Sequence, residues 1–182
     1  VLVKSWPSDT RAQWQEQIAR NFGSWADEAA ALYPAATDGQ ARGAVAQMFA
    51  DTQFNYGTRL LARAMSAREP RTFKYLYTRR RPGQADGPHH GEEVAHAFGN
   101  VASGAPGETV AWDARDEALS AVMRRAWVAF AATGDPGTAG GPAWPRYTPD
   151  TDVHLELGDV VRPGGPWRRE TLDFLERFFN QA

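Results

Sequence analysis

The sequence predicts an α/β chain in which helices outnumber strands, and three features carry that reading. Apolar residues recur at helical spacing over most of the chain, two short stretches have the β-rich or alternating character of strands, and caps and breakers bound both kinds of segment. Ser8 and Asp9 precede a stripe of Trp14, Ile18 and Phe22 at i, i+4 and i+8, which predicts an amphipathic helix over 9–22. Ser24, with Asp27 three residues on, opens a short helix that Pro34 closes. Asp38 begins a longer one, with Ala41, Val45, Met48, Phe49, Thr52, Tyr56 and Leu60 on one face and Pro70 beyond its end.

The period then changes. Phe73 to Thr78 is rich in β-formers and lacks a helix cap, which predicts a strand. A loop from Arg79 to Pro88 leads into His89 and His90, a short helix covers 92–98, and Gly99 stops it. Asp113 or Asp116 starts the next helix, with Leu119, Val122, Met123, Ala126, Trp127 and Phe130 on its inner face and Gly134 at its end. Val153 to Leu157 alternates as a strand, and residues 167–179 form a closing helix. Two strands are too few to complete a sheet.

A length of 182 residues suits one domain, and 42% hydrophobic with 23% charged residues excludes a disordered or fibrous chain. A net charge of −2 creates no field that gathers nucleic acid or an anionic membrane. The absence of cysteine excludes a disulfide scaffold, a thiolate metal site and a cysteine nucleophile. The most apolar stretch, Ala126 to Ala132, falls far short of the roughly 20 residues that a bilayer requires. The first residues, from Val1 to Pro7, carry neither signal-peptide pattern nor initiator methionine, which suggests a start within a longer protein.

His89, His90 and His96 fall within eight residues. They can be plain surface imidazoles. They can instead be metal ligands with Glu93, since His90, Glu93 and His96 lie at i, i+3 and i+6; yet i and i+6 stand roughly 240° apart around a helix, poor geometry for chelation. A further possibility is a general base on a loop leaving the C-terminal end of a strand, where α/β sheets place reactive groups. The chain has no Gly-x-Ser-x-Gly, and none of its six serines sits on a strand–turn–helix elbow. Composition and spacing leave these alternatives open.

The run His90-Gly91-Glu92-Glu93-Val94-Ala95-His96-Ala97-Phe98-Gly99 resembles the histidine motif of the type-B carboxylesterases, the cholinesterase-like branch of the α/β-hydrolases. Leu32-Tyr33-Pro34, Asp51-x-x-Phe54 and Tyr75-Leu76-Tyr77 stand in family order upstream. Asp116-x-x-Leu119-Ser120-x-x-Met123, Trp127-x-x-Phe130-Ala131-x-Thr133-Gly134-Asp135-Pro136 and Trp144-Pro145-x-Tyr147 follow downstream. The resemblance implies the C-terminal part of a single α/β-hydrolase domain, with residues 1–182 holding mostly helices and the last strands of the sheet.

It also implies a small carboxylic ester as substrate and a Ser-His-Glu triad. His90 is then the catalytic histidine, while the serine and glutamate lie on the preceding N-terminal segment of the same enzyme. Glu93 matches the motif's glutamate and would steady the loop of His90. Leu2, Val3, Phe49, Gln53, Phe54 and His89 are implied pocket residues, and Asp51 with Arg169 an implied structural ion pair. The family requires no cofactor and no metal. Arg79-Arg80-Arg81 reads as a solvated loop; at the mouth of a substrate gorge it would favour anionic esters. A cholinesterase-like module that has lost catalysis and serves adhesion, and a metal-dependent hydrolase using His89, His90, Glu93 and His96, are the alternatives.

Overall fold

The computed structural model describes residues 6–84, 87–100, 112–137 and 142–181. The pocket candidates Leu2 and Val3 lie outside these. Residues up to Leu61, joined by those from Arg168 onward, form one compact unit, and Ala62–Trp167 form a second.

The first unit is helical. Helix α1 (Arg11–Phe22) begins later than Ser8 and Asp9 suggest, because Thr10 is its cap. The Thr10 hydroxyl accepts the Gln13 amide at 3.2 Å, and the Gln13 side chain accepts the Thr10 amide in return. Trp14, Ile18 and Phe22 are buried, as their spacing requires. The Trp14 indole N–H donates to the Tyr33 carbonyl at 2.9 Å, so a large ring is buried with its one donor satisfied. Gly23, at φ 55°, turns the chain through a short 3₁₀ segment into α2 (Ala26–Leu32), which ends ahead of Pro34. Helix α7 (Arg169–Asn180) returns to this core with Leu172, Phe174 and Leu175. The Phe22 ring lies 5.5 Å from Phe174 and 5.1 Å from Phe178. Burying each such side chain contributes roughly 1.5–3 kcal/mol.

The long helix expected from Asp38 is interrupted. It runs as α3 (Asp38–Ala50), a single π turn (Asp51–Asn55) and α4 (Tyr56–Ser66). The residue inserted by the π turn advances the helix face by about 100°. Ala41, Val45 and Met48 are therefore buried as expected, whereas Leu60 is 40% exposed and Arg59, at 5%, takes the inner position and pairs with Asp173 of α7.

Among the described residues the second unit holds a three-stranded sheet in the order β1 (Tyr75–Tyr77), β2 (His154–Leu157), β3 (Arg162–Gly164). β1 and β2 are parallel, with Tyr75 opposite Leu155; β2 and β3 are antiparallel, with Leu155 opposite Pro163. β3 was not expected from the sequence, since Pro163 argues against a central strand; it is tolerated here at an edge. Gly164 faces His154 so closely that an added Cβ would collide with the imidazole Nε2.

Helix α6 (Ala114–Thr133) covers the sheet, burying Leu119, Met123 and Ala126. Asp113 is its cap, accepting the Arg115 amide at 2.8 Å and the Asp116 amide at 3.3 Å. Its end is written into the Thr133-Gly134-Asp135-Pro136 block. The Thr133 hydroxyl donates to the Ala129 carbonyl and accepts the Asp135 amide, while Gly134 takes the left-handed φ of 74° that closes many helices. Phe130, expected inside, is 48% exposed, its ring set edge-on to Phe73 at 6.0 Å. Among the described residues no helix is long and apolar enough to cross a membrane.

Candidate active site

The segment between β1 and α5 (Glu93–Phe98) carries His89 and His90, and α5 itself carries His96, all in the second unit. Side chains 77, 79 and 81 alternate to one side as the chain leaves the strand, and both arginines among them are buried. Arg79 is a hub. Its Nε lies 2.7 Å from Asp116 Oδ1, one terminal nitrogen 3.0 Å from Asp116 Oδ2 and 2.9 Å from Asp113, and the other 2.5 Å from Asp159. Burial opposes ionisation of Asp116, but the bonds from Arg79, the Asp113 amide and His96 outweigh it and hold the carboxyl below its usual range. The Arg79 guanidinium is correspondingly held more firmly protonated, chiefly by its hydrogen bonds to Asp116.

Arg81 lies with its guanidinium 4.3 Å from the centre of the Trp112 ring and 3.4 Å from Glu92. The reading of Arg79-Arg80-Arg81 as a solvated run is therefore corrected. Two of its three cations are committed to carboxylates of their own unit and cannot also receive an anionic ester.

His96 is fully buried, and both ring nitrogens are engaged. Nε2 stands 3.2 Å from Asp116 Oδ1 and Nδ1 stands 3.2 Å from the Tyr77 hydroxyl. An ionised carboxylate only accepts, so Nε2 carries the hydrogen; a neutral ring then accepts the Tyr77 O–H at Nδ1. Ser120 donates to the His96 carbonyl at 2.7 Å and ties α5 to α6. His89 and His90, in contrast, are exposed. The four residues of the metal alternative are thus not brought together, and among the described residues no group of His, Asp or Glu side chains is arranged as a metal ligand set.

His90 occupies the second position of a tight turn. The Glu92 amide donates to the His89 carbonyl at 3.2 Å, and Gly91 in the third position has φ 85°. That is a type II turn, which needs a positive φ at this position and hence glycine. The His-Gly pair of the motif is therefore a backbone requirement, and it leaves the imidazole standing out of the chain just ahead of α5. Glu93 is the first residue of α5, where the helix dipole favours a carboxylate. Its charge, after burial, is the second cause that raises the Tyr75 phenol above its ordinary pKa.

Phe49, Gln53 and Phe54 lie in the first unit, at and beside the π turn. The Phe49 ring meets Trp6 edge-on at 5.2 Å and Phe54 at 6.1 Å, while Gln53 is exposed. Asp51 is fully buried, and the expected ion pair is corrected by one residue. Its Oδ2 lies 2.6 Å from Arg168 Nε, and its Oδ1 accepts Asn55 at 2.8 Å and Gln47 at 3.2 Å. Arg168 precedes α7 in the left-handed conformation, φ 50° and ψ 38°, and that backbone carries its side chain to Asp51; Arg169, already in the helix, is exposed. Burial still wins at Asp51, whose carboxyl is raised above the usual range despite Arg168.

Sequence reasoning missed Glu92, Gln84, Trp112 and the Arg79–Asp116–His96 chain. The alternation of residues 77, 79 and 81 beyond the strand was the one signal available for the arginines.

Comparison with known proteins agrees with the motifs. A profile described as the carboxylesterase family matches residues 6–174. The fumonisin B1 esterase of Sphingopyxis macrogoltabida is 32% identical over 163 residues, covering 87% of this chain and 30% of that protein. Carboxylesterase 4A of Bos taurus is 30% identical over 138 residues, 73% of this chain and 24% of its own length. Carboxylesterase 1C of Mus musculus is 25% identical over 173 residues, 86% and 30% respectively. The chain thus spans 30% or less of the length of these relatives. A match running through both units, from the first helix to the last, establishes that the chain belongs to the carboxylesterase family.

Proposed function

We propose that this chain supplies the general-base histidine, His90, of a carboxylic ester hydrolase that works through an acyl-serine intermediate. The family is one of α/β-hydrolases, and the parallel β1–β2 pair flanked by helices agrees with part of such a fold. The observation that carries the reading is the placement of His90. It stands exposed on a glycine-dependent turn, on the loop that leaves the C-terminal end of a parallel strand, where open α/β sheets gather their reactive groups.

In this reading residues 1–182 are the C-terminal part of one α/β-hydrolase domain, and the nucleophilic serine and the orienting glutamate belong to the N-terminal segment. His90 takes the serine proton as the hydroxyl oxygen attacks the ester carbonyl, then returns it to the departing alcohol. A water then gives a proton to His90 and attacks the acyl-serine, which releases the acid and restores the hydroxyl. The glutamate holds the imidazole and stabilises the imidazolium. Glu93, beside the turn, steadies the loop of His90. The family likeness assigns Leu2, Val3, Phe49, Gln53, Phe54 and His89 to the pocket for the carboxylic ester.

The test is His90→Ala in the complete enzyme, with p-nitrophenyl acetate as substrate. Hydrolysis falls to background while the melting temperature holds. Retained turnover would remove His90 from catalysis, and an inactive wild-type enzyme with intact fold would favour the adhesion module.

A further inference from the structure

We propose that Glu92 is a positioning residue for His90, acting through a clamp with Arg81 and Gln84; the proposal rests on the ester-hydrolase reading above. The clamp ties the two ends of the loop that presents the histidine. On the near side stands Arg81, 4% exposed and laid on Trp112, two residues after Arg79 is fixed to Asp116. On the far side stands Glu92, whose carboxylate takes the Gln84 amide at 2.9 and 3.1 Å and the Arg81 guanidinium at 3.4 Å. Gln84 joins them, since its carbonyl oxygen accepts the Arg81 backbone N–H at 3.1 Å and its amide also reaches the Gly87 carbonyl at 3.2 Å.

Glu92 is at the same time the fourth residue of the turn in which His90 is the second, joined to it by the Glu92 N–H to His89 C=O bond. Holding the Glu92 side chain therefore holds the turn, and the turn sets where the imidazole stands. This matters because a general base works only within about 0.5 Å of its productive position, and a misplacement of about 1 Å can cost 10²-fold. That precision has to come from the turn that carries the exposed imidazole. The clamp supplies it from a rigid base, the buried Arg79–Asp116 pair. The motif residue Glu93 points attention to the neighbouring position, yet the bonds that cross the loop are made by Glu92.

The test uses the complete enzyme with p-nitrophenyl acetate and six variants: His90→Ala, Glu92→Ala, Glu92→Asp, Arg81→Ala, Gln84→Ala and the Arg81/Glu92 double alanine. Glu92→Ala is expected to lower kcat by about 10–100-fold with KM within about twofold, because the base moves and the pocket does not. Glu92→Asp, too short to keep the Gln84 bonds, falls between, and the double variant is no slower than the worse single variant. Gln84→Ala reports on the same clamp should Arg81→Ala fail to fold. A Glu92→Ala enzyme with wild-type kcat, beside a dead His90→Ala, overturns the clamp and leaves the esterase reading standing. A loss of kcat that only tracks the fraction unfolded also overturns it. An active His90→Ala enzyme overturns the reading itself.

Discussion

Asp51 and Arg168 are 117 positions apart in sequence and meet at 2.6 Å, one from the π turn and the other from the residue that caps α7. The carboxylate is sealed from water and the guanidinium is partly exposed, while Gln47 and Asn55 both donate to the other carboxylate oxygen, Oδ1. Removing either charge strands the other.

We expect Asp51→Asn to destabilise by about 2–4 kcal/mol, because the new amide turns a donor toward the Arg168 N–H. Arg168→Ala should cost a similar amount. Arg169→Ala, at an exposed site, should stay within about 0.5 kcal/mol. Chemical denaturation of the three variants checks the ranking. Equal losses at 168 and 169 would contradict the assignment of the pair.

His96→Ala should cut stability and spare chemistry. It removes a buried ring and leaves the Tyr77 hydroxyl and one bond of Asp116 unmet, at roughly 2–4 kcal/mol. Thermal unfolding should fall by about 5–15 °C in a chain of this size. Turnover per folded molecule should stay near wild type, in contrast to His90→Ala.

Gly91→Ala tests the turn. An added Cβ meets nothing within 4 Å, so space is not the obstacle; the φ of 85° is. The strain of a left-handed alanine is about 1–2 kcal/mol, relieved if the turn relaxes and carries His90 with it. We expect lower kcat at unchanged KM. Gly43→Ala, equally open but at an ordinary φ and far along the chain from the turn, is the control that should leave kcat alone.

Acid should weaken the second unit through His154. Burial first, then the Lys74 cation, lowers its pKa below the ordinary 6.5, so folding favours the neutral ring. A group held neutral in this way contributes stability above its unfolded pKa and loses it as pH falls below that value. Glu156 and Asp152 act against the shift but do not reverse it. Between pH 7 and 5 the wild-type stability should fall more steeply than that of His154→Asn, by up to about 1.4 kcal/mol per pH unit. Parallel curves would show that His154 is not the group responsible.

The sequence made some of this legible and hid the rest for physical reasons. The stripe of Trp14, Ile18 and Phe22 and the cap at Asp113 follow from local spacing, and both are where local chemistry demands. The His90-Gly91 pair was legible only through its resemblance to the family motif; that Gly91 serves a type II turn is a fact of the backbone. The π turn at Asp51 was not legible, since no residue type marks an inserted residue, and it moved Leu60 out and Arg59 in. Arg79 and Arg81 looked solvated because their carboxylates lie beyond local helix or turn spacing, Asp116 at 37 positions from Arg79 and Glu92 at 11 from Arg81. Arg168 and Arg169 are chemically identical neighbours. Only the left-handed backbone at 168 distinguishes them.

The first unit is assembled from two stretches of chain, and α7 contributes Leu172, Phe174 and Leu175 to a core begun by α1. During synthesis, then, the early helices emerge with their apolar faces uncovered and must wait for the whole second unit to be made before the cover arrives. Long-range closure of this kind is slow relative to local helix formation. Until α7 is made, the apolar side chains of Trp14, Phe22 and Trp25 lack the cover that Phe174 and its neighbours give them.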